Sequence, residues 1–105
     1  MPRIPTKLGA NELAIPPGAI ADAGSKEVLR AWIVGRGLQV SLVPGFDDPD
    51  VWGVMLCDIA RHAARAFAAE GTCSEREALS RIRKLFDAEW GRPTDKGTTA
   101  KAPKQ

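Results

Sequence analysis

The sequence predicts an α+β fold: an antiparallel β-hairpin, with residues 13–15 as a third short N-terminal strand, packed on one face by two C-terminal α-helices. Three observations carry the prediction. Residues 28–43, VLRAWIVGRGLQVSLV, are two apolar runs around a Gly-Arg-Gly, the pattern of two strands joined by a tight turn. Beyond Pro44-Gly45 the apolar residues recur at every third and fourth position instead of every second, the spacing that lines one side of a helix. After a break at Gly71, Ser74 followed by Glu77 restarts that spacing, and a Ser three residues ahead of a Glu satisfies the free N–H groups at a helix start.

In chain order, residues 1–9 carry little apolar bulk and read as a flexible N-terminus. Leu13 and Ile15 alternate with small or polar neighbours before Pro16-Pro17-Gly18 stops the run, which suits a short edge strand. The hairpin has a testable register, because a one-residue slip moves every side chain to the other face. With Gly35-Arg36 as the turn, Gly supplies the positive φ that a type II′ turn requires. Ile33 then faces Leu38, Ala31 faces Val40 and Leu29 faces Leu42, one unbroken apolar face. A three-residue loop would oppose Ile33 with Gln39 and Ala31 with Ser41, mixing the faces, so the even register is predicted. Its other face sets Arg30 and Trp32 opposite Ser41 and Gln39. These four are the candidate interface or ligand-binding residues.

The first long helix starts at Asp48, an N-cap residue, with Pro49 in its first turn and Asp50 at the positive end of its dipole. Trp52, Met55, Leu56, Ile59, Ala63, Ala66 and Phe67 form its apolar stripe, with Asp58, Arg61 and Arg65 opposite in water. The many alanines keep this surface low and let another backbone approach closely, and Gly71 ends the helix. In the second helix Leu79, Ile82, Phe86 and Trp90 are the predicted buried line, widened by Ala78 and Leu85. Glu77–Arg81 and Arg83–Asp87 are spaced as exposed i, i+4 pairs. Gly91 and Pro93 end it, and the short link over residues 71–74 implies an antiparallel or steeply angled helix pair.

A chain of 105 residues suffices for one small domain, expected over residues 10–93. The last fifteen residues, GRPTDKGTTAKAPKQ, hold almost no apolar bulk to offset the entropy of ordering them. Residues 94–105 are therefore expected to be a disordered tail. The formal charge of +2 does not mark a nucleic-acid binder. Arg3 and Lys7 give residues 1–9 a charge of +2; Arg92, Lys96, Lys101 and Lys104 against Asp95 give residues 92–105 a charge of +3, which leaves −3 on residues 10–91. A phosphate-binding footprint needs its Lys and Arg in surplus on the folded surface. No apolar run approaches the ~20 residues that cross a bilayer, and the N-terminus lacks the apolar stretch and cleavage site of a secretory signal. The expected compartment is the cytoplasm, where both cysteines stay reduced.

Few residues invite chemistry. His62, the one histidine, lies at the border of the apolar stripe with Asp58 one turn earlier, a spacing at which a carboxylate orients an imidazole. Two groups do not close a metal site, and a boundary histidine bonded to a helix carboxylate is the plainer account. Cys57 and Cys73 are set apart by ~20 Å of helix, too far for a disulfide. Cys73, just before a helix start, suits a small apolar contact better than a nucleophile. Asp47, Asp48 and Asp50 lack the glycine turn and distal Glu of a Ca²⁺ loop and are read as helix capping. Arg76, Arg81, Arg83 and Lys84 surround the second helix rather than lining one side, as a solvated surface does. No catalytic residue, metal ligand or cofactor-binding motif is assigned.

Taken together, NELAIPP, EVLRAWIV, GLQVSL, DPDVWGVMLCDIARHAARAF, RIRKLFDAEW and PTD resemble a family of small alphaproteobacterial proteins catalogued as a domain of unknown function, over residues 11–95. The resemblance implies a bacterial cytosolic protein with a single domain, and brings no activity, cofactor or catalytic residue. The residues themselves rank three functions. First is an oligomeric interaction module without catalytic activity, a homodimer joined through the hairpin edge, since between Glu27 and Val43 the only charges are Arg30 and Arg36 and monomers protect an open edge with charge, proline or a bulge. Second is a small-ligand-binding regulatory domain with Trp32, Trp52 and Trp90 lining a pocket. An enzyme using His62 and Asp58 comes third.

Overall fold

The structure, a computed structural model, describes residues 11–94 and, as backbone, 98–101. The flexible N-terminus expected over residues 1–9 lies outside the described residues. The order is α1 (Pro17–Ala21), β1 (Leu29–Val34), β2 (Gly37–Leu42), α2 (Asp50–Ala69), α3 (Glu75–Gly91) and β3 (Thr98–Lys101). This is an α+β fold with an open sheet in the order β1-β2-β3. No described helix is long and apolar enough to cross a membrane.

β1 and β2 pair antiparallel in the predicted even register, Ile33 to Leu38, Ala31 to Val40 and Leu29 to Leu42. Gly35 takes φ +62°, and no non-glycine residue among those described has positive φ. That combination fits a turn with glycine first. Below the strands the ladder continues, Val43 N–H donating to the Val28 carbonyl at 3.1 Å.

Two expectations about the third strand are corrected. Residues 13–15 form no strand; Leu13 is 93% exposed and the chain turns into the short α1 at Pro17. The third strand comes instead from the tail expected to be disordered, Thr98–Lys101 running parallel to β2 with Gln39 opposite Thr98 and Leu42 opposite Lys101. The tail's poverty in apolar bulk argues against its burial, but a strand joins an edge through backbone hydrogen bonds, which composition does not reveal.

α2 starts with the Asp48 carboxylate accepting from Asp50 N–H at 2.9 Å. It ends at Gly71, φ +79°, where Thr72 N–H donates to the Phe67 carbonyl and Gly71 N–H to that of Ala68, the paired bonds of a Schellman motif. Ser74 caps α3, its Oγ accepting from Glu77 N–H at 3.1 Å. Of the two predicted i, i+4 pairs, Arg83–Asp87 is present at 3.0 Å.

The helices pack on each other through small residues. Ala64 and Ala78 are the only fully buried side chains among the described residues, and Ala60 and Ala68, one turn either side of Ala64, are half-buried. The bulky stripe predicted for α2 lies to one side of this alanine ridge, with Leu56, Ile59 and Phe67 exposed. The predicted buried line of α3 holds for Leu79 and Ile82 only in part, since both are half-buried. Phe86 and Trp90 instead stack on each other, centroids 5.5 Å apart, and Trp90 is 77% exposed. The helix pair also does not lie on the sheet of its own chain: no Cα of α2 or α3 comes within 8 Å of one in β1 or β2. Helical periodicity identifies which side of a helix is apolar, not which neighbour covers it.

Candidate functional site

The register places Arg30 opposite Ser41 and Trp32 opposite Gln39 on one face of the hairpin, so the four candidate residues are brought together. Arg30 is the centre of an ion-pair cluster, its guanidinium 3.0 Å from Glu12 and 3.2 Å from Glu27. The Glu12 bond fastens the N-terminal segment to β1 across eighteen residues of sequence. Sequence reasoning missed Glu12, because nothing in NELAIPP distinguishes an acid that folds back from one left in water. A depression of about 270 Å³ opens at the base of the strands, walled by Glu27, Arg30, Ser41 and Val43. That is below the ~300–1,000 Å³ of ligand pockets. The tryptophans do not converge on it: Trp52 Nε1 donates to the Pro44 carbonyl at 2.8 Å, and Trp90 stacks on Phe86.

The opposite face of the hairpin is apolar, half-buried at Leu29, Val40 and Leu42 and uncovered at its turn end. Ile33 and Leu38, cross-strand partners at the turn end, are 75% and 47% exposed. β1 also has a free edge. The two-residue turn makes Val34 and Gly37 a mutually hydrogen-bonded pair, and pairs alternate along an antiparallel ladder. The N–H and C=O groups of Leu29, Ala31 and Ile33 therefore point away from β2, and among the described residues no backbone bond reaches them. On the helices Leu56, Ile59 and Phe67 of α2, with Leu85 of α3, are exposed along one side of the α2–α3 contact, and Phe86 and Trp90 of α3 along the other.

Between sheet and helices, Gly45 carries the bend at φ +75°, where an added Cβ would stand 3.1 Å from Val28 Cγ1. Both the backbone and the space require glycine there.

The polar pair on α2 does not assemble. Asp58 is exposed and 3.8 Å from Arg61, with no hydrogen bond to His62, which is itself exposed. Cys57 is exposed and Cys73 half-buried, and both are free. No group of three or more His, Cys, Asp or Glu among the described residues is arranged to hold a metal. The acidic trio is accounted for in part by Asp48, which caps α2.

These features define a small α+β chain whose candidate site is a surface rather than a cleft: an open strand edge, an apolar sheet face and an apolar helix face. The chain belongs to the family described as "Domain of unknown function (DUF5076)", whose model matches residues 12–94. A similar solved structure comes from the photosynthetic bacterium Rhodopseudomonas palustrus CGA009 and is described as a "putative pyruvate dehydrogenase". It is 42% identical, with a TM-score of 0.71 over 92% of this chain and 100% of the other. No curated protein matches the sequence.

Proposed function

We propose that this chain is a bacterial, cytoplasmic interaction module that works as a homodimer joined at the free edge of β1. The observation that carries the reading is the missing core. A domain is held together by a contiguous set of large buried side chains, yet among the described residues only two alanines are buried. Two alanines do not offset the conformational entropy of ordering such a chain, so the large apolar side chains need a covering that one copy does not provide. A second copy supplies one by symmetry. About a two-fold axis at Ala31, the outward N–H and C=O groups of Leu29, Ala31 and Ile33 meet their own counterparts antiparallel, with Leu29 opposite the partner's Ile33. The bacterial source of the similar structure supports the assignment of origin.

We assign the chain no reaction. The dehydrogenase description of the similar structure is not carried over, because the depression walled by the Arg30–Glu27 ion pair, about 270 Å³, is smaller than a usual ligand pocket. Sedimentation equilibrium at micromolar concentration tests the proposal: the expected mass is twice the 11.3 kDa of one chain, and a single-chain mass refutes it.

A further inference from the structure

We infer that the homodimer is an exchanged one, in which the α2–α3 pair of each chain covers the apolar sheet face of the other; this rests on the dimeric reading above and specifies its architecture. The chain contains two uncovered apolar surfaces that match in kind, the turn end of the sheet face with Ile33 and Leu38, and one side of the helix pair with Leu56, Ile59, Phe67 and Leu85. A sheet face and a helical apolar face are the two layers an α+β domain ordinarily presses together. Here they belong to one chain and do not meet.

The connection between them explains the separation. Only residues 43–49 join β2 to α2, and this stretch includes Pro44 and Pro49, each with a fixed φ. The Trp52 indole is hydrogen-bonded back to the Pro44 carbonyl, and Gly45 passes Val28 too closely to carry a side chain without displacing it. The exit direction of α2 is thereby set at the base of the hairpin, and it leads away from the chain's own sheet. Exchange of an element across such a short hinge needs no new type of contact, because the layers that pack are those a single closed chain would pack.

The area agrees with a second copy as occupant. Summed by their exposure, Ile33 and Leu38 of the sheet with Leu56, Ile59, Phe67 and Leu85 of the helices present on the order of 600 Å² per chain, within the ~600–1,000 Å² that each partner buries in a standard stable interface. The exchange and the β1 edge contact share one two-fold axis, so both form in a closed dimer and leave no apolar sheet face over for a third chain.

The test uses the unmodified chain. Isotope-labelled and unlabelled protein are unfolded together, refolded as a mixture, weighed by sedimentation equilibrium and examined by isotope-filtered NOE spectroscopy. The expected result is a dimeric mass with NOEs that run between chains, from the Ile33 and Leu38 methyl groups to the ring protons of Phe67 or the methyl groups of Leu56, Ile59 or Leu85. A dimeric mass in which these NOEs are absent, or run only within one chain, overturns the exchange and leaves the edge-joined dimer standing. A single-chain mass overturns both.

Discussion

Ile33 stands directly opposite Leu38 at the turn end of the hairpin, and both are largely exposed although they head the most apolar face of the sheet. Cross-strand apolar pairs stabilise a sheet when a second layer covers them. Among the described residues no second layer covers the pair, and the first prediction follows from the proposal that a second copy supplies it. Ile33→Asp is expected to cost a free chain little, since an exposed residue contributes within ~0.5 kcal/mol. In the dimer it removes an apolar burial worth about 1.5–3 kcal/mol in each of two copies and weakens association a hundredfold or more. A dilution series followed by sedimentation or light scattering checks this.

Proline at the two kinds of backbone site separates edge from interior. Ala31 N–H points to the free edge, whereas Ser41, paired with Arg30, has its N–H inside the hairpin ladder. Ala31→Pro is expected to weaken the dimer, so that far-UV circular dichroism is lost on dilution together with the dimeric mass; Ser41→Pro is expected to lose both at every concentration, since it removes a ladder donor.

At the α2–α3 contact, Ala64 is fully buried, so a larger side chain there must displace its neighbours. Ala64→Leu is expected to destabilise by about 1–3 kcal/mol through overpacking, read as a lower midpoint in urea.

Ser74→Ala removes the acceptor of Glu77 N–H at the start of α3. The expected loss is about 1 kcal/mol, seen as a fall of roughly 4–8 °C in Tm for a domain of this size.

His62→Gln tests the polar pair on α2. The imidazole is exposed and Asp58 is paired with Arg61, so the expected change in stability is within ~0.5 kcal/mol. A large loss, or loss of a stoichiometric bound metal on substitution, would contradict the surface role given to this residue.

Local features of the fold were readable in the sequence because each depends on neighbours within a few residues. Hairpin register follows from the alternation of Leu29, Ala31 and Ile33 with the partners that a two-residue turn dictates. The ends of α2 and α3 follow from Asp48, Gly71 and Ser74, whose side chains or backbone freedom satisfy the free groups of the adjoining turn. The four residues Arg30, Trp32, Gln39 and Ser41 were placed on one face for the same reason. The small-residue helix contact was partly readable: alanine richness signals close approach, but the repeat at Ala60, Ala64 and Ala68 is singled out only once α3 is in place.

The hairpin, the two long helices and the apolar side of each were legible from the chain alone, since these arise from steric preference and hydrogen bonding along short stretches of chain. The tertiary structure alone decided which surfaces meet: that Glu12 returns to Arg30, that Thr98–Lys101 and not residues 13–15 extends the sheet, and that α3 rests on the alanine ridge of α2 while the bulky stripe stays open. The physical reason is that the hydrophobic effect is non-directional and proportional to area. It requires an apolar face to be covered without specifying by what, and only the geometry of the connections, such as the bend at Gly45 and the Trp52–Pro44 bond, selects the neighbour.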